Sequence, residues 1–298
     1  MKLQDIKAVL NFEAFNPEPD DSSAPWVRRF PKKRTLLLNI GRRRVTWRVL
    51  DKSGVMTDPM SLDGDFKEVA SQMAAEWREA TDGGWCAISL NSRYVISLES
   101  NLSRRKGLEE LLRTNPKAAL GAKAERGKRY ALQHNPESNT SVLLSCDEDA
   151  IVKLEAVLKE TGLCAGRIAV GAYAMLLDLV DQVRDARRVH LNTNPDAKTG
   201  NVLMVACCDG SLCAMAQQEE QWLKLRSRTE LYTADDISPA IELLIPMIEE
   251  TGPDTHVLIM NDMERPDLAA LLLARMPNIR VSDVTQPNQL WKLITDAN

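Results

Sequence analysis

Aromatic residues are scarce, 5% of 298 positions, which weighs against a stacking platform for carbohydrate or single-stranded nucleic acid. Histidine is rarer still. His134, His190 and His256 stand apart, with no serine- or cysteine-centred nucleophile motif around them. No apolar run approaches the roughly 20 residues of a membrane span. The opening "MKLQDIKAVLNFEAF" mixes charged with apolar residues where a secretory leader would carry an apolar core. Cysteines are few and scattered: Cys86, Cys146, Cys164, Cys207, Cys208 and Cys213 form no CxxC pair. In a reducing compartment they read as small hydrophobes. No histidine lies near Cys207, Cys208 and Cys213 to complete a zinc site. P-loop, GxGxxG, HExxH and EF-hand signatures are absent too. The expectation is a cytoplasmic chain that binds neither metal nor nucleic acid.

What is present is ordinary in bulk and uneven in detail. Apolar residues at 44% and charged residues at 27% suit a globular protein, and the length suits two domains. The net charge is −4, yet Arg28, Arg29, Lys32, Lys33, Arg34, Arg42, Arg43, Arg44, Arg48 and Lys52 crowd one stretch opposed only by Asp51. Such a cluster suits an anionic membrane surface or an acidic partner. It equally suits a solvated strand edge protected from edge-to-edge pairing. Residues 11–33 contain Pro17, Pro19, Pro25 and Pro31 within a polar segment, so 1–33 reads as an arm that Trp26 and Phe30 pin to the body.

From Thr35 onward periodicity takes over. "TLLLNI" is a buried-strand run and "RVTWRVL" alternates. A third short strand is expected near Val55. Phe66, Val69, Met73 and Trp77 then recur at helical spacing, and "WCAISL" gives another strand. "YVISLES" and "SVLLSC" read as strands and "RRKGLEELLRT" as a helix, with a polar, glycine-bearing stretch between them. "DEDAIVKLEAVLKETG" opens on acids and closes on glycine, as a helix should. The strand "GRIAV" and a helix through Met175, Leu176 and Leu179 follow. Downstream, two apolar runs flank Asp209-Gly210, a strong hairpin signal. Helix and strand patterns alternate from there to the end. Both halves thus open with three hairpin-linked strands followed by α/β alternation, which predicts mixed sheets covered by helices. The division is a first lobe over 34–186 with an insert over about 94–145, and a second lobe over 198–298.

The stretch "SVLLSCDEDAIVKLEAVLKETGLCAGRIAVGAYAMLLDL", Ser141 to Leu179, resembles the PilM family, actin-like proteins of type IV pilus assembly. The likeness lies in strand, amphipathic helix, "TGL", short strand, and a helix opening near Tyr173-Ala174-Met175. "LLLNIGRRRVTWRVLD" and "NVLMVACCDGSLCAMAQ" support it. The cytoplasmic domain of the type II secretion protein GspL is the next relative. The resemblance implies an α/β, two-lobed actin-like fold of duplicated RNase H-like domains. It also implies a cytoplasmic protein held at the inner membrane by a PilN-like or GspM-like partner, whose short segment docks on the first lobe.

Active members of that superfamily hold ATP and Mg²⁺ between two hairpins resembling Asp-x-Gly-[Ser/Thr]. By that resemblance, Asn39 replaces the first acid, Gly41 is kept, and Arg42 stands at the hydroxyl position. In the second hairpin Ala206 falls at the acid and Cys208 at the glycine, or a shifted register uses Asp209-Gly210. The turn that would meet adenosine reads Asn261-Asp262 rather than paired glycines. The expectation is a pseudo-ATPase without cofactor, with Arg42, Arg43 and Arg44 as a basic surface tip. The alternative is an ATPase in which those arginines stand in for the missing donors and metal.

Overall fold

The computed structural model describes residues 33–298, except 101, 103–106, 136–140, 194–199, 234, 262–267 and 296–298. The arm over 1–33, apart from Lys33, therefore lies outside the described residues, as do Trp26 and Phe30.

The first lobe begins with β1 (Thr35–Ile40), β2 (Arg44–Leu50) and β3 (Met60–Asp63), then α1 (Phe66–Ala80) and β4 (Trp85–Leu90). The third strand is not near Val55. Asp51 accepts the N–H groups of Ser53 and Val55 in a tight turn, leaving Val55 64% exposed and pairing displaced to Met60–Asp63. The helix α1 starts on a capping box, in which Asp65 accepts from the Glu68 N–H and Glu68 reaches back to the Asp65 N–H. Its buried stripe carries Trp77 against Trp47 in an edge-to-face pair at 5.5 Å.

Between β4 and the rest of the lobe comes β5 (Val95–Ser100), α2 (Leu108–Thr114), α3 (Pro116–Leu120), β6 (Lys128–His134) and β7 (Ser141–Asp147). The three strands form their own antiparallel sheet in the order β5-β7-β6. Strand β6 is missed by periodicity, because its apolar contribution to the small core of Leu108, Leu112 and Leu143 is just Tyr130 and Leu132 among the described residues. The lobe closes with α4 (Glu148–Glu160), β8 (Cys164–Val170) and α5 (Gly171–Thr193).

The second lobe runs β9 (Val202–Cys208), β10 (Ser211–Gln218), β11 (Gln221–Arg228), α6 (Ser238–Thr251), β12 (His256–Asn261), α7 (Leu268–Arg275), β13 (Arg280–Asp283) and α8 (Gln289–Thr295). Sheet orders are β3-β2-β1-β4-β8 and β11-β10-β9-β12-β13. In both, the first three strands are antiparallel and the last two join in parallel. The duplication in element order is a duplication of topology.

Strand alternation sorts each sheet's side chains onto two faces. Leu36, Leu38, Ile40, Cys86 and Ile88 go outward under α1 and α4. Leu203, Val205, Cys207, Val257 and Ile259 go outward under α6 and α7. The inner faces are covered by exchange. Helix α5 runs past residue 186 to Thr193 and buries Met175, Leu176, Leu179, Val180 and Val183 on Met204, Ala206, Met215 and Met260 of the second sheet. Reciprocally, α8 sets Leu290, Trp291 and Ile294 on Leu37 and Ala87 of the first sheet. Each lobe thus carries a helix contributed by the other half of the sequence, and the two helices touch: Gln289 Nε2 donates to Asp178 Oδ2 at 2.8 Å.

Candidate functional site

A cleft of about 920 Å³ opens where the inner faces meet. Its position follows from strand parity and strand ends. With Leu38 and Ile40 turned outward, Asn39 and its cross-strand partner Ser89 turn inward. Oδ1 of Asn39 and Oγ of Ser89 are buried without a hydrogen-bond partner among the described residues. The same parity turns Cys208 inward on β9. The turns leaving β1, β4 and β9, with Asn261 at the end of β12, complete the rim.

The cleft brings together Asn39, Gly41, Arg42, Arg43, Arg44, Asp209, Gly210 and Asn261, residues more than two hundred positions apart at the extremes of this set. Asp262 lies outside the described residues. Ala206 is fully buried beneath α5, away from the rim. Of the two registers open for the second hairpin, the turn itself is made by Asp209-Gly210. Cys208 pairs with Ser211, and both intervening residues have positive φ (55° and 75°). That is the conformation Asp-Gly favours in two-residue hairpins. The buried Asn261 donates its backbone N–H to Thr285 Oγ1.

The three arginines at the first turn are exposed but do not form one uniform patch. Arg42 reaches across the cleft to the carboxylate of Glu230, which follows β11. Arg44 pairs with Asp63 on the neighbouring strand at 2.8 Å. Arg43 donates nothing to those acids and stays exposed at the tip. Elsewhere in the basic stretch, Asp82 gathers Arg34 at 3.2 Å and Lys52 at 2.9 Å. Those two donors and the Arg34 backbone N–H pull its carboxyl down to about 2, Lys52 contributing most. Arg48 is 7% exposed, donates to the Thr57 carbonyl and to Asn288, and lies 6.0 Å from the Trp291 ring. It fastens α8 to the first sheet rather than facing solvent.

Sequence reasoning missed Asn91, Glu230 and Asn288. Asn91 sits just beyond the carboxyl end of parallel strand β4, where α/β sheets place ligand-facing residues, and that position was a readable signal. Its Nδ2 donates to the Asp209 carbonyl at 3.1 Å and to Asp209 Oδ2 at 3.2 Å. Glu230 had no such signal, since its role depends on a partner 188 positions away.

Gly41 is a point of close approach in the cleft. A Cβ on it would lie 2.8 Å from Asp209 Oδ2, 2.9 Å from the Arg44 carbonyl oxygen and 3.3 Å from Asp209 Oδ1. Both oxygens of the Asp209 carboxylate therefore rest against the bare Cα of the first turn. No group of three or more His, Cys, Asp or Glu side chains gathers to hold a metal ion among the described residues.

No protein-family model matches the chain, and no curated protein matches it. Solved structures do, over nearly its full length. A Bacteroides thetaiotaomicron VPI-5482 protein with an actin-like ATPase fold and unknown function superposes with a TM-score of 0.54 at 9% identity, covering 89% of this chain and 97% of that one. A chain of the PilM-PilN type IV pilus biogenesis complex gives 0.52 at 16% identity, covering 88% and 94%. The cytoplasmic domain of EpsL, an inner membrane component of the type II secretion system of Vibrio cholerae, gives 0.50 at 9% identity, covering 88% and 93%. The chain has an actin-like fold, as the resemblance of residues 141–179 implies.

Proposed function

We propose that this actin-like chain is a non-catalytic cytoplasmic scaffold of a type IV pilus or type II secretion assembly platform. It holds the cytoplasmic segment of an inner-membrane partner of the PilN or GspM kind. The observation that carries this reading is the Asp209 carboxylate against Gly41. A phosphate approaching that glycine would meet a fixed negative charge instead of open space. Asn39 supplies no carboxylate, Ala206 is buried away from the rim, and the Asp209 carboxylate is held by Asn91 against Gly41, so we read the donor set as unfit for a magnesium nucleotide. Solved structures of similar fold include proteins of pilus and secretion systems, which supports the choice of assembly. Loss of chemistry on a retained fold is physically unproblematic, because function resides in sites carried by folds. A partner segment would dock through backbone hydrogen bonds and apolar pockets. Arg43, exposed at the tip, is what the first turn offers to an anionic membrane surface.

The test is a pull-down with the cytoplasmic segment of the membrane protein encoded by the adjacent gene, expected to retain the chain. No binding at high micromolar concentration overturns the scaffold reading. In parallel, Mg-ATP is expected to leave the melting temperature unchanged, whereas a ligand at 100-fold saturation stabilises by about 2.7 kcal/mol. A stabilising shift with phosphate release would establish the ATPase alternative.

A further inference from the structure

We infer that the insert, although spliced into the first half of the chain, moves with the second lobe as one body, so that the cleft opens between the first sheet and that body. The inference goes beyond the scaffold reading and holds whatever the cleft receives.

Edge strand β11 is the seam. Strand β5 of the insert runs beside it, although the two belong to separate sheets. At one end of β11 the buried Asn135, which follows β6, donates Nδ2 to the Glu220 carbonyl at 2.9 Å. At the other end the Tyr173 hydroxyl donates to Ser227 at 2.8 Å and is shared with Ser97 of β5. Tyr173 and Asn135 are each 4% exposed, which shields both contacts from water. From Glu220 to Ser227 is about 23 Å of strand at roughly 3.3 Å per residue. Two pins that far apart forbid tilting but leave rotation about the line joining them. Val142 and Leu144 remove that freedom. They lie on β7, one strand away from β5, and pack with Val95 against the cluster that holds Met215 and Trp222 of the second sheet.

The insert is held to the first lobe by less. Its own core of Leu108, Leu112 and Leu143 is separate from the apolar cluster under α1 and α4. Tyr94 and Cys146 reach that cluster, each partly buried and each beside a chain junction. Contacts at a junction restrain a hinge little, because they lie at its pivot. Arg129 on β6 pairs with Glu148 at 3.5 Å and Glu155 at 3.2 Å on α4, but all three side chains are 42–49% exposed. Exposed pairs of this kind hold weakly and are screened by salt. Burial on the second lobe outweighs them. The segment Asn91–Tyr94 and the start of α4 are then the pivots, and whatever docks on the insert bears on the orientation of the second lobe.

The test measures spin-label distances by pulsed electron resonance in the full chain, with Cys146 and Cys164 replaced by alanine. The other four cysteines are buried. Labels are placed in pairs at three exposed positions, Lys123→Cys on the insert, Glu249→Cys on α6 and Gln72→Cys on α1. The pair on the insert and α6 is expected to give a narrower distance distribution than either pair that includes α1. Hydrogen exchange on unlabelled Leu144→Ala is expected to quicken at least tenfold in β10 and β11 and to stay within twofold in β1 and β4. Should that variant fail to fold, Asn135→Ala is expected to move the same strands by a smaller factor. Equal widths for the three pairs, a narrower pair between insert and α1, or exchange that quickens in β1 and β4 instead overturns the proposal. The pull-down result bears on none of these outcomes.

Discussion

Gly41 shows how far a single residue can be read. The sequence marks it as a place of close approach, because a glycine follows a buried strand and precedes three arginines. It does not say what approaches. In the structure two obstacles stand where a methyl would go, the Asp209 carboxylate at 2.8 Å and the Arg44 carbonyl at 2.9 Å. Gly41→Ala is expected to destabilise by about 1–3 kcal/mol in urea unfolding, the range for forcing extra volume into a packed site. Combining it with Asp209→Gly should recover part of the loss, since one obstacle is removed and the backbone carbonyl stays. No recovery would mean that the Asp209 contact is not what excludes a side chain, and full recovery that the Arg44 carbonyl adds nothing. The arginines beside it teach the same lesson. Arg42, Arg43 and Arg44 are one run in sequence and three environments in space, because successive residues at a turn point in different directions.

At the level of elements, hairpins and helices were the legible part. The Asp209-Gly210 turn, the helical spacing of Phe66, Val69, Met73 and Trp77 and the acid-to-glycine span of α4 all follow from local chemistry. The strand at Met60–Asp63 was not legible, since the turn at Asp51 absorbs residues that look extended. Nor was the assignment of helices to sheets. Leu179 is fully buried on α5, in the first half of the chain, yet it packs on the second sheet. Leu179→Ala is expected to cost about 2–5 kcal/mol. Hydrogen exchange should show protection lost in β9 and β10 more than in β1 and β4. The converse holds for Ile294→Ala, whose side chain is buried on Leu37 and Ala87. Loosening of the first sheet alone by Leu179→Ala would contradict the exchanged packing.

The molecule as a whole joins two copies of one topology through that exchange, and its junction titrates at high pH. Tyr173, on α5, donates to Ser227 on β11, and burial pushes its phenol from the ordinary 10.0 up to about 12. Burial likewise pushes the Cys213 thiol from 9.0 up to about 12. A group whose folded pKa is raised stabilises fully below its unfolded value and loses that contribution as pH climbs to the folded value. The urea midpoint is therefore expected to hold steady near neutrality on account of these groups and to fall between about pH 9 and 12. Tyr173→Phe should make the fall shallower, and an unchanged slope would show that the phenol does not contribute.

By itself the sequence determined the order of elements, repeated twice, together with the turns and caps that local chemistry fixes. Those features depend on residues within a few positions of each other. Only the tertiary structure decided which sheet each amphipathic helix covers, because burying apolar area is worth about 25 cal/mol per Å² against any aliphatic surface and carries no address. It also decided what faces Gly41. Arg42 and Glu230, separated by 188 positions, meet only because two similar sheets close on one another.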